Sequence, residues 1–173
     1  MKYFWLLLYY GFAQFLPPSH KNILGNIGKG LRVICAHHLF KCCGSNINIE
    51  HRAYFGQGDK VELGSNSGIG VHCHVPSDIK IGDNVMMGPC CFFMESLTHH
   101  IEQTEIPMIQ QGTYRKQGRI EIGNDVWIGR QCLVLPIKKI GSHSVVGAGS
   151  VVCKDVPDSV VAGGNPIRII RQR

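Results

Sequence analysis

Large apolar residues recur every six positions through the middle of the chain, at Leu63, Ile69, Val75, Ile81, Met87 and Phe93, then in a second frame at Ile122, Ile128, Val134, Ile140, Val146 and Val152. Eight of these twelve positions are followed directly by glycine, where the overall glycine content would place one or two. Four residues after the apolar position the side chain is usually small or β-branched, as at Ser67, Cys73, Val85, Cys91, Val126, Cys132, Ser144 and Ser150. A helix would need a period near 3.6 and a sandwich strand a longer alternation, so the pattern predicts short strands with tight corners. The phrases VELG from Val61, IKIG from Ile79, IEIG from Ile120 and KKIG from Lys138 add a longer period, eighteen residues within each half. Three hexapeptides therefore close one turn. The prediction is an all-β body, a triangular prism of parallel coils, with the apolar residues stacked inside and glycine supplying corner backbone angles that other residues resist. Ile49, Phe55 and Val61 carry the period back into an imperfect first coil over residues 47–61.

From Phe93 to Ile122 is 29 residues, which is not a multiple of six, so the frame breaks between them. A long loop over residues 97–119 is expected to leave the prism, and loops longer than about 15 residues in a compact fold are usually functional or disordered. This one holds His99, His100, Glu102 and Glu105, which favours function. Ahead of the prism, residues 1–45 are expected to form a helical leader. Its first sixteen residues are apolar with a single lysine, lack a cleavage site and are too short to span a bilayer. They suit a helix packed within the molecule or between subunits, or one in weak association with a membrane surface.

Composition narrows the class. With 173 residues, 44% apolar and only 17% charged, the chain is one folded unit rather than a disordered one. The net charge of +6 would suit nucleic acid, an anionic membrane or a phosphate-bearing molecule. Nucleic acid is disfavoured because no stretch interleaves basic and aromatic residues, while Lys154, Arg168, Arg171 and Arg173 gather in the last twenty. Eight cysteines without a C-x-x-C spacing indicate reduced thiols in a cytoplasmic protein. Histidine adds two alternatives. A neutral imidazole in the loop can act as general base, whereas His72 and His74 of VHCHV with His99 or His100 would make a zinc site of the carbonic anhydrase type. A non-catalytic scaffold would need neither.

The stretches IEIGNDVWIG (120–129), VVGAGSVVCKDVP (145–157) and VAGGNPIRIIRQR (161–173) closely resemble the hexapeptide-repeat O-acetyltransferases, the group that includes galactoside, maltose and colanic acid acetyltransferases. The resemblance covers roughly residues 46–173, and it implies a left-handed parallel β-helix, a homotrimer and a short C-terminal helix within the tail 157–173. It also implies transfer of an acetyl group from acetyl-coenzyme A directly to a hydroxyl, with His99 of THHIEQTEIPMIQQG as the catalytic base. Trp127, Gly147, Ala148, Lys154, Arg168 and Arg171 match positions that line the cofactor, the cations beside its phosphates. Cys153 stands where the family often has threonine. The leader resembles those of capsular and exopolysaccharide acetyltransferases, which favours a sugar hydroxyl as acceptor, with streptogramin-type and serine-type acceptors as the alternatives.

Overall fold

The computed structural model describes residues 1–173, with the backbone alone at position 22. Two helices open the chain, α1 (Lys2–Gly11) and α2 (Asn22–Leu39), and pack on each other across the first coil of a parallel β-helix. The Tyr9 hydroxyl donates to the Ala53 carbonyl and the Tyr10 hydroxyl to the Gly56 carbonyl, each at 2.7 Å, so α1 is pinned to that coil. Arg32 of α2 is fully buried, which is tolerable only because it is hydrogen-bonded. Its Nε donates to the Ile49 carbonyl at 2.6 Å, Nη1 to Leu16 at 3.0 Å, and Glu50 lies 3.9 Å away. Burial lowers the arginine's pKa and the glutamate opposes that shift.

The prism has three faces of short parallel strands. The first stacks Cys42–Cys43, Lys60–Leu63, Asp78–Ile81, Ile120–Ile122 and Lys139–Ile140. The second stacks Met86–Met87, Trp127–Ile128, Val145–Val146 and Val160–Gly163, and the third Phe92–Phe93, Leu133–Val134 and Val151–Val152. Every one of the twelve repeat residues is at most 2% exposed except Met87, which is partly buried. Outward residues differ by face. The first presents Glu62, Lys80, Glu121 and Lys139, whereas the third presents Tyr54, His74, Phe92, Leu133 and Val151. Ser67, Cys73, Cys91 and Cys132 each donate to the carbonyl of the corner glycine one coil on, at 2.6–3.2 Å, which explains why serine and thiol exchange at the small inward position.

Two expectations change. The corner glycines are not there for unusual backbone angles, because the left-handed φ values fall two residues later, at Asn66, His72, Asn84, Cys90, Asp125, Gln131 and His143. Glycine is required by space: a Cβ on Gly64, Gly82, Gly129 or Gly141 would meet backbone or side-chain atoms of the adjacent coil at 2.4–2.5 Å. The expected C-terminal helix is instead a strand, Arg168–Gln172, antiparallel to Val160–Gly163. Seven residues after Pro166 could make barely two helical turns, too few to be stable alone, and the open edge of the second face offers a ladder of hydrogen bonds.

Candidate active site

The chain leaves the prism after Phe93 on the third face and re-enters at Ile120 on the first, so the loop projects from the edge those two faces share. Inside it, Leu97–His99 pairs antiparallel with Thr113–Arg115, placing His99 opposite Thr113. His99 is exposed, and among the described residues no side-chain hydrogen bond reaches its ring. His100 is engaged: its Nδ1 lies 3.4 Å from the Glu102 carboxylate and its ring rests 4.4 Å from that of Tyr114. Backbone N–H groups of Glu102 and Ile101 hold the Glu102 carboxyl below its ordinary pKa. The free histidine of the pair is thus the one in the register expected of a base.

Several loop residues carry structural tasks that the sequence did not announce. Gln111 donates from Nε2 to the carbonyls of Gln103 and Ile106, both at 2.7 Å, and its Oε1 accepts from the Gln103 N–H at 3.3 Å. One side chain therefore ties down the distal turn. At the base, Arg115 reaches Glu95 at 3.1 Å and Arg119 grips Glu62 at 3.0 and 3.5 Å. Lys41 and then Arg119 bring the Glu62 carboxyl down to about 2. A cleft of about 640 Å³ opens between this base and the first coils, lined by Asp59, Lys60, Asp78, Glu95, Arg115 and Arg119 among others.

The second face gathers most of the other candidates. Trp127, 53% exposed, lies in one cross-strand row with Met86, Val145, Val161 and Arg171, while Arg168 pairs with Gly163 at the far edge. Gly147 and Ala148 follow Val146 at the corner of the same face, and Ala148 packs against Gly129. Lys154 does not join them, because it follows Val152 at a corner of the third face. Arg173, expected to be a solvated tail residue, is bonded to the Asp125 carboxylate at 2.8 Å, beside His143 at 3.0 Å. In a triangular section the second face lies opposite the edge from which the loop departs. One chain thus carries His99 and the Trp127 row on opposite sides of itself.

The alternative centres lack their geometry. His72 and His74 do not share an outward side: His72 occupies a corner at φ 54°, whereas His74 is sandwiched between Tyr54 and Phe92 at 4.4 and 4.5 Å. Burial lowers the pKa of both. Among the described residues no three His, Cys, Asp or Glu side chains are grouped to hold a metal ion. The inward thiols are committed to backbone carbonyls, and Cys91 is pushed up to about 12, with hydrogen bonding to Cys132 and Cys73 acting in opposite senses and burial adding to the rise.

No family model matches the chain. It is 37% identical over 141 residues to a galactoside O-acetyltransferase of Escherichia coli K12, a match that covers 78% of this chain and 64% of the relative. Against a galactoside O-acetyltransferase of Lactococcus lactis it is 38% identical over 96 residues, 56% of this chain and 44% of that one. The chain thus spans less than two thirds of the length of these relatives. Among solved structures, a galactoside acetyltransferase in complex with coenzyme A superposes with a TM-score of 0.77 at 31% identity, covering 99% of this chain and 80% of the other. A maltose O-acetyltransferase from Clostridium difficile 630 gives 0.74 at 29% identity, covering 95% and 84%.

Proposed function

We propose, from the premise that the chain belongs to the hexapeptide-repeat O-acetyltransferases of the galactoside and maltose type, that it moves an acetyl group from acetyl-coenzyme A to a hydroxyl of a sugar. The observation that carries this reading is the match along nearly the whole chain to an enzyme bound to coenzyme A. The coil is left-handed on this reading, the working unit is a homotrimer, and the acceptor is a sugar of the kind found in capsular or exopolysaccharide precursors. A cytoplasmic setting is supported by the eight free thiols, of which Cys42 and Cys90 are exposed.

His99 is the general base. Its neutral imidazole takes the proton of the acceptor hydroxyl as that oxygen attacks the thioester carbonyl. A backbone N–H at the corner beyond Gly129 holds the oxyanion, the carbon–sulfur bond breaks, and the imidazolium returns its proton to the departing thiolate. Trp127 flanks the pantetheine arm, Gly147 and Ala148 supply backbone groups, Arg168 and Arg171 meet the cofactor phosphates from the second face, and Lys154, on another corner of the prism, reaches them from the adjoining subunit. The separation of His99 from the Trp127 row supports a site completed by two subunits, as does the apolar outward ladder of the third face.

Thiol release from acetyl-coenzyme A, measured with a panel of sugar acceptors, tests the reading. Acceptor-dependent release is expected, and His99→Ala is expected to lower turnover by about 10²–10⁴-fold while coenzyme A binding persists. Release that is absent from folded wild-type protein with every acceptor, or that survives intact in His99→Ala, overturns it.

A further inference from the structure

The outward row that runs from Arg171 through Val161, Val145 and Trp127 does not end at Met86. Two more strands, Asn48–Ile49 and Gly68–Ile69, continue the second face beyond it, the Gly68 N–H donating to the Val85 carbonyl at 3.2 Å. Gly68 is the one member of the row without a side chain, so the surface sinks between Met86 and Asn48. The hollow, about 550 Å³, is lined by His20, Lys29, Asn48, Glu50, Gly68 and Met86 among others. Met86 stands four strand spacings, about 19 Å, from Arg171. A cofactor arm laid along the row from phosphates at Arg168 and Arg171 therefore delivers its acyl end beside Met86, at the mouth of this hollow.

Most polar groups of the hollow are already committed. Glu50, the one acid of the lining, accepts from the Ser19 hydroxyl, from the Ser19 N–H at 3.0 Å and from Asn48 Nδ2 at 2.9 Å, and Arg32 lies 3.9 Å away. Burial pushes its pKa up, but those hydrogen bonds outweigh burial and hold it below the ordinary value. Two groups are left over. The bond to Glu50 fixes the Asn48 amide and leaves Oδ1 buried with no hydrogen-bond partner among the described residues. A buried acceptor without a donor is costly, and a ligand hydroxyl removes that cost. Lys29 is partly buried and, unlike Lys2, Arg32 and Lys41, has no acidic partner among the described residues. A neutral sugar would satisfy Asn48 and leave Lys29 unpaired, and a simple anion would do the reverse. We propose, resting on the acetyl transfer argued above, that this hollow is the acceptor subsite and takes a sugar that carries an anionic group, a phosphate ester or a carboxylate. Asn48 Oδ1 accepts from a sugar hydroxyl, Lys29 pairs with the anion, and the hydroxyl to be acetylated lies beside Met86.

The test is titration calorimetry of the full chain with galactose, galactose 1-phosphate, galacturonate and inorganic phosphate, together with the KM of each sugar for thiol release. At least one anionic sugar is expected to bind about tenfold or more tightly than galactose and than inorganic phosphate, and the two anionic sugars compared show which anion fits. Lys29→Gln is expected to erase that preference, raising KM for the anionic sugar about tenfold while kcat and the binding of galactose stay as they were. Asn48→Leu is expected to weaken every sugar and leave inorganic phosphate unchanged, with unaltered melting by circular dichroism confirming the fold. Calorimetry reads binding without acetyl-coenzyme A, so failure of this subsite and absence of acetyl transfer are separate results. The proposal is overturned if folded wild type binds no sugar, or binds galactose as tightly as both anionic sugars. It is also overturned if inorganic phosphate binds as tightly as galactose 1-phosphate, or if Lys29→Gln keeps the preference.

Discussion

Ile137 sits at φ 61°, in the left-handed region where a Cβ crowds the following carbonyl. Eleven non-glycine residues share such angles, and asparagine, aspartate and histidine, which tolerate them best, fill six of the positions. Ile137 is the only β-branched member of that set. Ile137→Gly is therefore expected to stabilise the protein by about 1 kcal/mol, the relief of the left-handed strain exceeding the extra chain entropy of glycine. A rise in the urea midpoint with an unchanged slope would show it. The same residues show what could be read in advance. The apolar hexad was visible because burial acts on each side chain alone. The reason for glycine was not, because Gly129 and Ala148 are nineteen residues apart in sequence and meet only once the coils stack.

At the level of elements, the loop was legible as a miscount of the repeat, while its interior was not. Nothing in THHIEQTEIPMIQQG states that Leu97–His99 pairs with Thr113–Arg115 or that Gln111 braces the turn between them, since those contacts exist only after the hairpin has formed. The brace makes a prediction. Gln111→Ala is expected to lower turnover roughly tenfold to a hundredfold by releasing the segment that carries His99, with melting temperature unchanged because the loop adds nothing to the core. A fall in both together would assign Gln111 to stability instead. The tail shows the opposite failure: isoleucine-rich and short, IRIIRQR has no strong preference of its own and takes the structure of the edge it meets.

For the whole molecule, the position of charge was read only in part. The basic tail was conspicuous, yet most of the net charge comes from the leader, whose Lys2, Arg32 and Lys41 find their acidic partners Asp59, Glu50 and Glu62 only once the coils have folded. The division of candidates between opposite sides of the prism gives the sharpest test of a shared site. Chains inactivated by His99→Ala and chains inactivated by Trp127→Ala with Arg171→Ala are expected to regain activity when refolded together, in about a quarter of interfaces if they mix at random into trimers. No recovery would confine the site to one chain. The loop itself interrupts nothing in the scaffold: Ile81 stacks on Ile122, Met87 on Ile128 and Phe93 on Val134, in register, as though residues 94–119 were not there. Such a seam lets the excursion lengthen, shorten or change its chemistry without a compensating change in any coil. Acceptor preference can then diverge among descendants of one scaffold while the architecture stays the same.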